Sequence, residues 1–263
     1  MLINKYEIIG NISKGEFGEV LKVSYNNKHY ALKYGAKEVI KYEIQIYKQL
    51  KSISNISNIY DVFETGNNMY MVLDLYMMTL VDYKLQNHEH INYSITCITI
   101  IKDLITIIKS VHDNNIVHRD LKPTNICMDC NNKLHLIDFG ISKIYKQNNV
   151  HIKEAKIHSV IGSVNFSSLN VINLLEPSRR DDMESILYIL FYLLINNISY
   201  ISYNNLNIYE KKNIDTILMF LQDNTSITLN NCINFMNVEK IFKYIRRLKY
   251  NQEPNYDYII KLL

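Results

Sequence analysis

Short apolar runs separated by turn residues make up the N-terminal part of the chain. Apolar and polar positions alternate as in half-buried β-strands, and one stretch between them has the spacing of an amphipathic helix. The pattern therefore predicts a small sheet with one helix. The predicted strands lie within 5–34 and at 59–65 and 69–75, the helix at 39–50, and the turns at Asn11-Ile12-Ser13, Asn26-Asn27 and Gly66-Asn67-Asn68.

Beyond residue 76 the apolar residues recur at helical spacing. Two such stripes predict core-facing helices, and a third apolar run, Ile186 to Ile195, is too short to cross a bilayer and predicts a buried helix. The pattern indicates an α+β protein with a β-rich N-terminal lobe (about 1–75) and a larger helical lobe (about 76–263). The two stripes are Cys97, Ile101, Leu104, Ile105, Ile108 and Val111, and Val238, Ile241, Phe242, Ile245 and Leu248.

Length and composition favour one compact domain over residues 1–263. Of the 263 residues 48% are hydrophobic, and 3 prolines and 7 glycines leave no linker-like stretch. A formal net charge of +3 is too small to indicate nucleic-acid binding, so Lys211-Lys212 and Arg246-Arg247-Lys249 are interpreted as solvated helix faces. The N-terminus has no basic segment leading into an apolar one, so secretion is not expected. Because the longest apolar run is too short to cross a bilayer, no membrane partner is expected either.

The cysteines favour a reducing compartment. Cys97, Cys127, Cys130 and Cys232 are scattered rather than arranged as a disulfide framework. Cys127 and Cys130 have the spacing of zinc or redox sites, but no second Cys/His pair completes a tetrahedral zinc site. Packing is therefore the favoured role of these thiols.

The strongest chemical signal is His118-Arg119-Asp120-Leu121-Lys122-Pro123-Thr124-Asn125, followed by Asp138-Phe139-Gly140. The first motif places a carboxylate two residues before an ammonium group and five before an amide. That spacing lets one loop hold a hydroxyl, a γ-phosphate and a metal ion together. In this order and with this separation, the two motifs resemble those of the eukaryotic protein kinases.

Upstream segments extend the resemblance. The segment from Ile12 to Val20 is similar to the glycine-rich loop of protein kinases, except that Ser13 stands at its first glycine. Tyr30-Ala31-Leu32-Lys33 is a short β-like run that ends in a lysine, a residue that is costly to turn inward without a partner. The resemblance assigns Lys33 to the α- and β-phosphates of ATP.

Lys33 then requires a carboxylate partner on the helix that follows. Glu43 is preferred over Glu38, because Glu43-Ile44-Gln45-Ile46-Tyr47-Lys48 resembles the matching helix of the casein kinase 1 family. The rival assignment, with Glu43 as an ordinary exposed glutamate, stays open at this point.

The resemblance implies a bilobal protein kinase fold that uses ATP and Mg²⁺. Its catalytic residues would be Lys33, Glu43, Asp120 and Lys122: Asp120 accepts a proton from the substrate hydroxyl or orients it, and Lys122 offsets charge on the γ-phosphoryl group. The metal ligands would be Asn125 and Asp138. The implied ATP-binding residues are Ile12, Ser13, Lys14, Gly15, Glu16, Phe17, Gly18, Glu19, Val20, Ala31, Lys33, Leu73, Asp74, Leu75 and Cys127, with Asp74-Leu75-Tyr76 as the hinge, Leu73 at the back of the pocket and Cys127 under the adenine.

Three later segments resemble the casein kinase 1 family in particular. They are Gly162 to Asn170, with Ser168-Leu169-Asn170 in place of Ala-Pro-Glu, Glu176 to Ser185, and Glu253-Pro254-Asn255-Tyr256, which also resembles the neighbouring vaccinia-related kinases. Asp181-Asp182 favours the casein kinase branch. The resemblance implies a serine/threonine protein kinase with protein substrates, expected to be a monomer in the cytoplasm or nucleus. Frequent Ile, Asn, Tyr and Lys are typical of an A/T-rich genome such as that of a virus or parasite.

Several residues depart from the family pattern. Ser13, Asn165 and the brief linker after Lys33 are what a pseudokinase acting as a binding scaffold would also show. Relatives carry arginine at the position of Asn165, where it helps to bind a phosphate on primed substrates, so a weaker preference for such substrates is expected. Arg119 precedes Asp120, and in many kinases the arginine at this position pairs with a phosphorylated residue of the activation loop. Ser159 and Ser163 are the candidates here, but the resembled family is usually active without this event.

Overall fold

The chain packs as two compact units. The computed structural model describes residues 1–15, 18–90, 92–223 and 234–263. The first unit is rich in strands and the second in helices, which confirms the predicted α+β class. The first unit combines Met1–Met78 with Cys127–Ser142, and the second combines Thr79–Ile126 with Lys143–Leu263.

Residues 127–142 belong with the N-terminal strands, although a lobe boundary near residue 75 would assign them to the second lobe. The pattern of apolar residues cannot predict that 127–142 join the first unit, because this assignment depends on contacts between residues far apart in sequence. The assignment of 1–263 to a single domain stays a prediction.

Six antiparallel strands form the sheet of the first unit. They are β1 (Leu2–Ile3), β2 (Tyr6–Gly15), β3 (Gly18–Tyr25), β4 (Lys28–Ala36), β5 (Ile59–Thr65) and β6 (Asn68–Asp74). They lie in the order β1-β2-β3-β4-β6-β5. Tyr6, Leu21, Leu32 and Val72 are among the buried residues at the core of one face. The predicted strands at 59–65 and 69–75 are confirmed to within one residue.

One predicted turn in this sheet is confirmed and another is wrong. Asn26 and Asn27 join β3 to β4 with φ values of 50° and 60°, in the left-handed region that asparagine tolerates. The segment Asn11-Ile12-Ser13 does not reverse the chain, because β2 continues through it. The pairing with β3 shifts register between Asn11 and Ser13, so the polar residues mark a β-bulge.

A single helix, α1 (Lys37–Leu50), packs against β4 and β6. Ile40, Ile44 and Tyr47 are buried at helical spacing, and Glu43 lies on the same buried face. This confirms the helix predicted at 39–50, which begins two residues earlier than expected.

The second unit is built from nine described helices around α3 and α5. They are α2 (Leu80–Asn87), α3 (Tyr93–Asp113), α4 (Leu169–Ile172), α5 (Arg179–Leu194), α6 (Asn197–Asn204), α7 (Ile208–Lys211), α8 (Ile214–Asp223), α9 (Phe235–Arg247) and α10 (Tyr256–Leu262). The short strands of the chain are β7 (Met78–Thr79), β8 (Ile116–Val117), β9 (Ile126–Met128), β10 (Leu134–Leu136), β11 (Lys143–Ile144), β12 (Lys146–Gln147) and β13 (Val150–His151).

Helix α5 forms the centre of this unit and is buried over almost its whole length, as the apolar run from Ile186 predicts. It packs against α3 and α9, and both predicted apolar stripes face the core. Among the described residues, no helix combines the length and the apolar character needed to cross a membrane.

The interpretation of the basic clusters as solvated faces is wrong for two residues. Lys212 is 1% exposed, and the Arg246 guanidinium lies 2.9 Å from the buried carboxylate of Glu184. A buried carboxylate needs charged or hydrogen-bonding partners, and this requirement explains why the Arg246 guanidinium is largely buried beside Glu184. Arg247 and Lys249 are exposed as expected.

Candidate functional site

The loop from His118 to Asn125 lies in the second unit and is anchored to α5. The buried carboxylate of Asp182 accepts hydrogen bonds from the backbone N–H groups of His118 (2.8 Å) and Arg119 (2.9 Å), and Nε2 of His112 lies 2.9 Å from it. Burial by itself raises the pKa of the Asp182 carboxyl, but these contacts outweigh burial and hold the pKa below its usual range. Charge-assisted hydrogen bonds therefore fix the loop backbone.

Four donors surround the carboxylate of Asp120. Oδ1 accepts hydrogen bonds from the backbone N–H of Ser163 (3.0 Å) and from its hydroxyl (2.8 Å). Oδ2 accepts them from Lys122 Nζ (2.7 Å) and Asn125 Nδ2 (3.2 Å). A carboxylate offers about four acceptor positions, so these donors fix the plane of the group. Asp120, Lys122 and Asn125 are thus brought together within one unit.

Gly162 permits Ser163 to approach Asp120. Its φ is +79°, and a Cβ atom at this position would lie 2.5 Å from the backbone oxygen of Arg119. Any other residue would be strained in this conformation and would push the two segments apart. The contact between Ser163 and the loop from His118 to Asn125 therefore requires glycine at position 162.

The first unit carries a second cluster around Lys33. Its Nζ lies 2.9 Å from Glu43 Oε1, 2.8 Å from Glu43 Oε2 and 2.7 Å from Asp138 Oδ1. Burial lowers the pKa of Lys33, but the two carboxylates more than compensate and raise it above its usual range. Complete burial raises the pKa of Glu43, and the Lys33 ammonium counteracts this. Lys33 pairs with Glu43 rather than with Glu38, which is exposed.

Helix α1 also holds the segment around Asp138. The backbone N–H of Phe139 donates to Glu43 Oε1 (3.2 Å), and the backbone N–H of Asp138 donates to the hydroxyl of Tyr47 (3.1 Å). The rings of Tyr47 and Phe139 meet edge to face at 5.2 Å. One face of α1 therefore positions both the carboxylate partner of Lys33 and the Asp138 backbone, whose φ is +65°.

Strand pairing brings several expected ATP-binding residues together. Val20 lies opposite Lys33 in the pairing of β3 with β4, and Ala31 lies opposite Leu73 in the pairing of β4 with β6. Ser13 lies in β2 opposite Val20, next to the bulge, and its φ is not in the left-handed region that would favour glycine. Ile12, Lys14 and Gly15 also lie in β2, and Gly18 and Glu19 in β3.

The other expected ATP-binding residues that the structure describes lie at the start of β3, at the expected hinge where β6 ends, and at Cys127. A Cβ on Gly18 would meet the backbone oxygen of Tyr34 at 2.3 Å, so β3 needs glycine at its start. The carboxylate of Asp74, at the expected hinge, accepts hydrogen bonds from the backbone of Asn58 (2.7 Å) and the hydroxyl of Tyr60 (2.6 Å). Leu75 is half-buried and Cys127 is buried, whereas Cys130 is exposed. Glu16, Phe17 and Cys232 lie outside the described residues.

The two expected metal ligands lie in different units. The Asp138 carboxylate and the Asn125 amide offer hard oxygen atoms, which are the donors that Mg²⁺ prefers. The Asn125 amide nitrogen donates to Asp120 O (2.9 Å) as well as to Asp120 Oδ2, so the orientation of its amide is fixed. In the described part of the chain, no three His, Cys, Asp or Glu residues form a cluster suited to a metal. The oxygen donors of Asp138 and Asn125 are of the kind that fits magnesium.

Arg119 has a carboxylate partner within the second unit. Its guanidinium lies 3.5 Å from Glu176 Oε1, and Lys143 Nζ lies 3.0 Å from the same oxygen. Glu176 is 5% exposed, so the two cations compensate a carboxylate that is almost removed from water. The positive charge of Arg119, next to Asp120 in the chain, is thus balanced within the polypeptide.

Sequence reasoning did not assign three residues that shape these clusters. Ser163 appeared only as a modification candidate, Asp182 only as part of a family motif, and Tyr47 only inside a helix. Their contacts join residues 43, 64 and 91 positions apart, which periodicity cannot detect. The glycine at 162 was the available signal for Ser163, because glycine often marks a close backbone approach.

Comparison with known proteins agrees with this geometry. The family described as "Protein kinase domain" matches residues 6–259. A probable casein kinase I homolog of Encephalitozoon cuniculi is 31% identical over an alignment that covers 99% of this chain and 84% of the relative. The clusters around Asp120 and Lys33, together with these similarities over nearly the whole chain, show that the chain belongs to the protein kinase family, in its casein kinase 1 branch.

Proposed function

We propose that this protein kinase transfers the γ-phosphoryl group of ATP to serine and threonine hydroxyls of protein substrates. The observation that carries the proposal is the Asp120 carboxylate, fixed by donors from Ser163, Lys122 and Asn125. A carboxylate held in this way is suited to orient a hydroxyl and to accept its proton. Lys122 two residues after Asp120 is the form of the loop that serine/threonine kinases share.

In the proposed mechanism Lys122 exchanges partners. Its ammonium group now occupies an acceptor position on Asp120 Oδ2. When Lys122 turns to an oxygen of the γ-phosphoryl group, that position becomes available to the substrate hydroxyl. The hydroxyl oxygen forms the new bond to phosphorus, the bond to the β-phosphate oxygen breaks, and Asp120 receives the proton. Lys122 then offsets the charge that spreads over the transferred group.

The cluster in the first unit is suited to hold the nucleotide. The raised pKa of Lys33 keeps its ammonium group charged for contact with the α- and β-phosphates. Glu43 orients that group from the buried face of α1. Asn125 and Asp138 would hold Mg²⁺, which would neutralise part of the negative charge of the phosphates.

A radiolabelled ATP assay with casein tests the proposal. We expect wild type to label serine and threonine, and Asp120→Asn to lower kcat by about 10²–10⁴-fold, the usual loss when a general base is removed. Lys33→Met should lose activity as well. Circular dichroism melting provides the control for folding.

Equal turnover by wild type and Asp120→Asn would contradict the enzyme assignment. A thermal shift with Mg-ATP in the absence of any turnover would instead identify a nucleotide-binding scaffold. Phosphotyrosine as the main product would contradict the serine/threonine specificity.

The proposal extends to partners and location. Protein substrates are the expected partners, without nucleic acid or membranes, because the formal charge is only +3. We expect a monomer in the cytoplasm or nucleus. Size-exclusion chromatography with light scattering tests the first expectation, and imaging of the tagged protein tests the second.

A further inference from the structure

A cavity of about 360 Å³ opens in the second unit beside the catalytic loop. By comparison, an apolar protein cavity of roughly 150 Å³ is large enough to hold benzene. The space therefore accommodates an aromatic side chain. We refer to this space as the side-chain cavity. It is lined by Val81, Lys122, Pro123, Thr124, Ser163, Val164, Asn165, Phe166, Tyr192 and Tyr200.

Three aromatic rings form a continuous wall of the side-chain cavity. Phe166 and Tyr192 meet edge to face with centroids 6.0 Å apart, and Tyr192 and Tyr200 do so at 5.1 Å. All three side chains are half-buried, so part of each ring remains open to an incoming group. Edges and faces of aromatic rings interact favourably with another aromatic ring.

Two buried lysines support the walls of this cavity. Lys84 Nζ donates to the backbone oxygens of Tyr192 (2.6 Å) and Ile195 (2.8 Å) and lies 4.3 Å from the centroid of the Tyr192 ring. Lys212 Nζ donates to the backbone oxygen of Asn165 (2.7 Å). Burying the Nζ atom of a lysine without a hydrogen-bond acceptor is costly. Both lysines donate to the backbone of segments that line the cavity, so these hydrogen bonds hold the cavity walls in place.

The side-chain cavity is continuous with the environment of Asp120. Lys122 and Ser163 line the cavity, and both hydrogen-bond to the Asp120 carboxylate. A peptide whose hydroxyl lies at Asp120 therefore brings a neighbouring side chain to the cavity mouth. Of the ten lining residues, all of them in the described part of the chain, Lys122 alone is charged, and Asp120 pairs with it.

From these contacts we infer that the side-chain cavity is a specificity subsite, which takes an uncharged aromatic side chain lying close to the acceptor residue of the substrate. Aromatic walls and the absence of an unpaired charge on the lining disfavour a carboxylate or phosphate there. The inference rests on the proposed function, because it assumes that a peptide hydroxyl binds at Asp120.

The test uses a short alanine-based peptide with one serine. Phenylalanine is placed in turn at each of four positions, the two before the serine and the two after it. Peptides with aspartate at the same positions give the charged comparison. For every peptide, kcat/KM is measured with Mg-ATP, and Kd is measured by fluorescence anisotropy. We expect phenylalanine at one of the four positions to raise kcat/KM at least about tenfold over alanine, which corresponds to about 1.4 kcal/mol. Aspartate there should give no increase.

Variants of the lining residues then test whether the preference for phenylalanine arises in the side-chain cavity. Val164→Asp adds a carboxylate at the rim, on a residue that is 48% exposed, and Tyr200→Ala removes one ring. Both should bring the phenylalanine-to-alanine ratio close to one. Ile201→Asp is the matched control, because Ile201 is 64% exposed, follows Tyr200 on α6 and does not line the cavity. This control should keep the wild-type ratio.

Two failures are distinguishable. If neither casein nor any peptide is phosphorylated, the proposed function fails, and the Kd series still decides about the cavity. A Kd that depends on phenylalanine and loses this dependence in Val164→Asp supports the subsite. If peptides are phosphorylated or bound but all four phenylalanine positions stay within about twofold of alanine, the subsite is refuted. A preference that Val164→Asp and Tyr200→Ala leave unchanged refutes it equally.

Discussion

The hydroxyl of Ser163 donates a 2.8 Å hydrogen bond to Oδ1 of Asp120, the oxygen that also accepts the Ser163 backbone N–H at 3.0 Å. Two bonds from one residue orient the carboxylate, which must be held in place if it is to act on a substrate hydroxyl.

Ser163→Ala should therefore lower kcat without unfolding the protein. The variant keeps the backbone bond but loses the hydroxyl, and a hydrogen bond to a charged group contributes about 1.5–3 kcal/mol, so we expect a loss of roughly tenfold or more. Ser163→Thr keeps a hydroxyl and should recover most of the rate. Ser163→Glu, a mimic of phosphorylation, should be inactive because it places a second negative charge against Asp120. Steady-state kinetics on casein measure all three, and an alanine variant with wild-type kcat would contradict the orienting role.

Activity should not require phosphorylation of the loop. Glu176 already supplies a carboxylate to Arg119 at 3.5 Å, and Ser159 is exposed. Phosphatase-treated enzyme and Ser159→Ala should each keep most of the wild-type rate. Glu176→Gln should lower it, because this change leaves Arg119 without a charged partner beside the catalytic loop. A large loss of rate on phosphatase treatment, reproduced by Ser159→Ala, would show that a phosphate is needed after all.

Primed substrates should be favoured only weakly. Asn165 is exposed and carries no charge, while the nearby lysine Lys212 is buried and hydrogen-bonded to the Asn165 backbone oxygen, so it does not replace the missing arginine. Two peptides that differ only in a phosphoserine three residues before the acceptor should give similar kcat/KM values on wild type. In Asn165→Arg the ratio should rise roughly fivefold or more, because an exposed charge-assisted hydrogen bond contributes about 1 kcal/mol.

The control for this prediction is Asn205→Arg, which adds the same charge on another exposed residue of the second unit. It should leave the ratio unchanged. A strong preference for the phosphopeptide in wild type that Asn165→Arg does not increase would contradict the expectation.

Residues whose roles follow from local spacing could be predicted from the sequence. The alternation in 59–65 and 69–75 identified two strands, and the local sequence from Glu43 to Lys48, through its family resemblance, identified Glu43 as the partner of Lys33. Roles that depend on contacts between residues far apart in sequence could not be predicted in this way. A lysine in a polar stretch is assigned to the surface by any periodicity rule, yet Lys84 and Lys212 are buried because backbone oxygens far along the chain accept their hydrogen bonds.

The bulge in β2 illustrates the same limit. Asn11 and Ser13 carry the composition of a turn, and only the pairing with β3 shows that the strand continues through them.

The burial of Lys212 predicts a pH-dependent stability. Its Nζ lies over the Tyr188 ring, 3.7 Å from the centroid, and burial lowers its pKa to about 7 from a usual value of 10.5, with Arg246 and Lys211 adding to this effect and Glu184 opposing it. Between these two pKa values the unfolded chain holds a proton that the folded protein has released. The free energy of unfolding should therefore rise as pH increases from 7, with a slope approaching about 1.4 kcal/mol per pH unit.

Urea unfolding of wild type and Lys212→Met at pH 7, 8 and 9 measures this effect. Circular dichroism is the suitable signal, because the chain has no tryptophan. The range stops at pH 9, below the pKa of about 10 at which tyrosine side chains titrate in the unfolded chain. Cysteines of the unfolded chain titrate near a pH of about 8.5, but their contribution is the same in wild type and variant and cancels in the difference. Burial also lowers the pKa of Lys84, to about 8, so wild type contains a second contribution of the same sign. The difference between wild type and variant isolates that of Lys212.

Wild type should gain stability over this range relative to Lys212→Met, whereas Lys249→Met, a change at an exposed lysine, should follow wild type. Below pH 7 the side chain is protonated in both states, so the difference should become constant. Parallel curves for wild type and Lys212→Met between pH 7 and 9 would mean that Lys212 keeps its proton when the protein is folded. The ring of Tyr188 and the backbone oxygen of Asn165 would then be sufficient to stabilise a fully charged ammonium group in the protein interior.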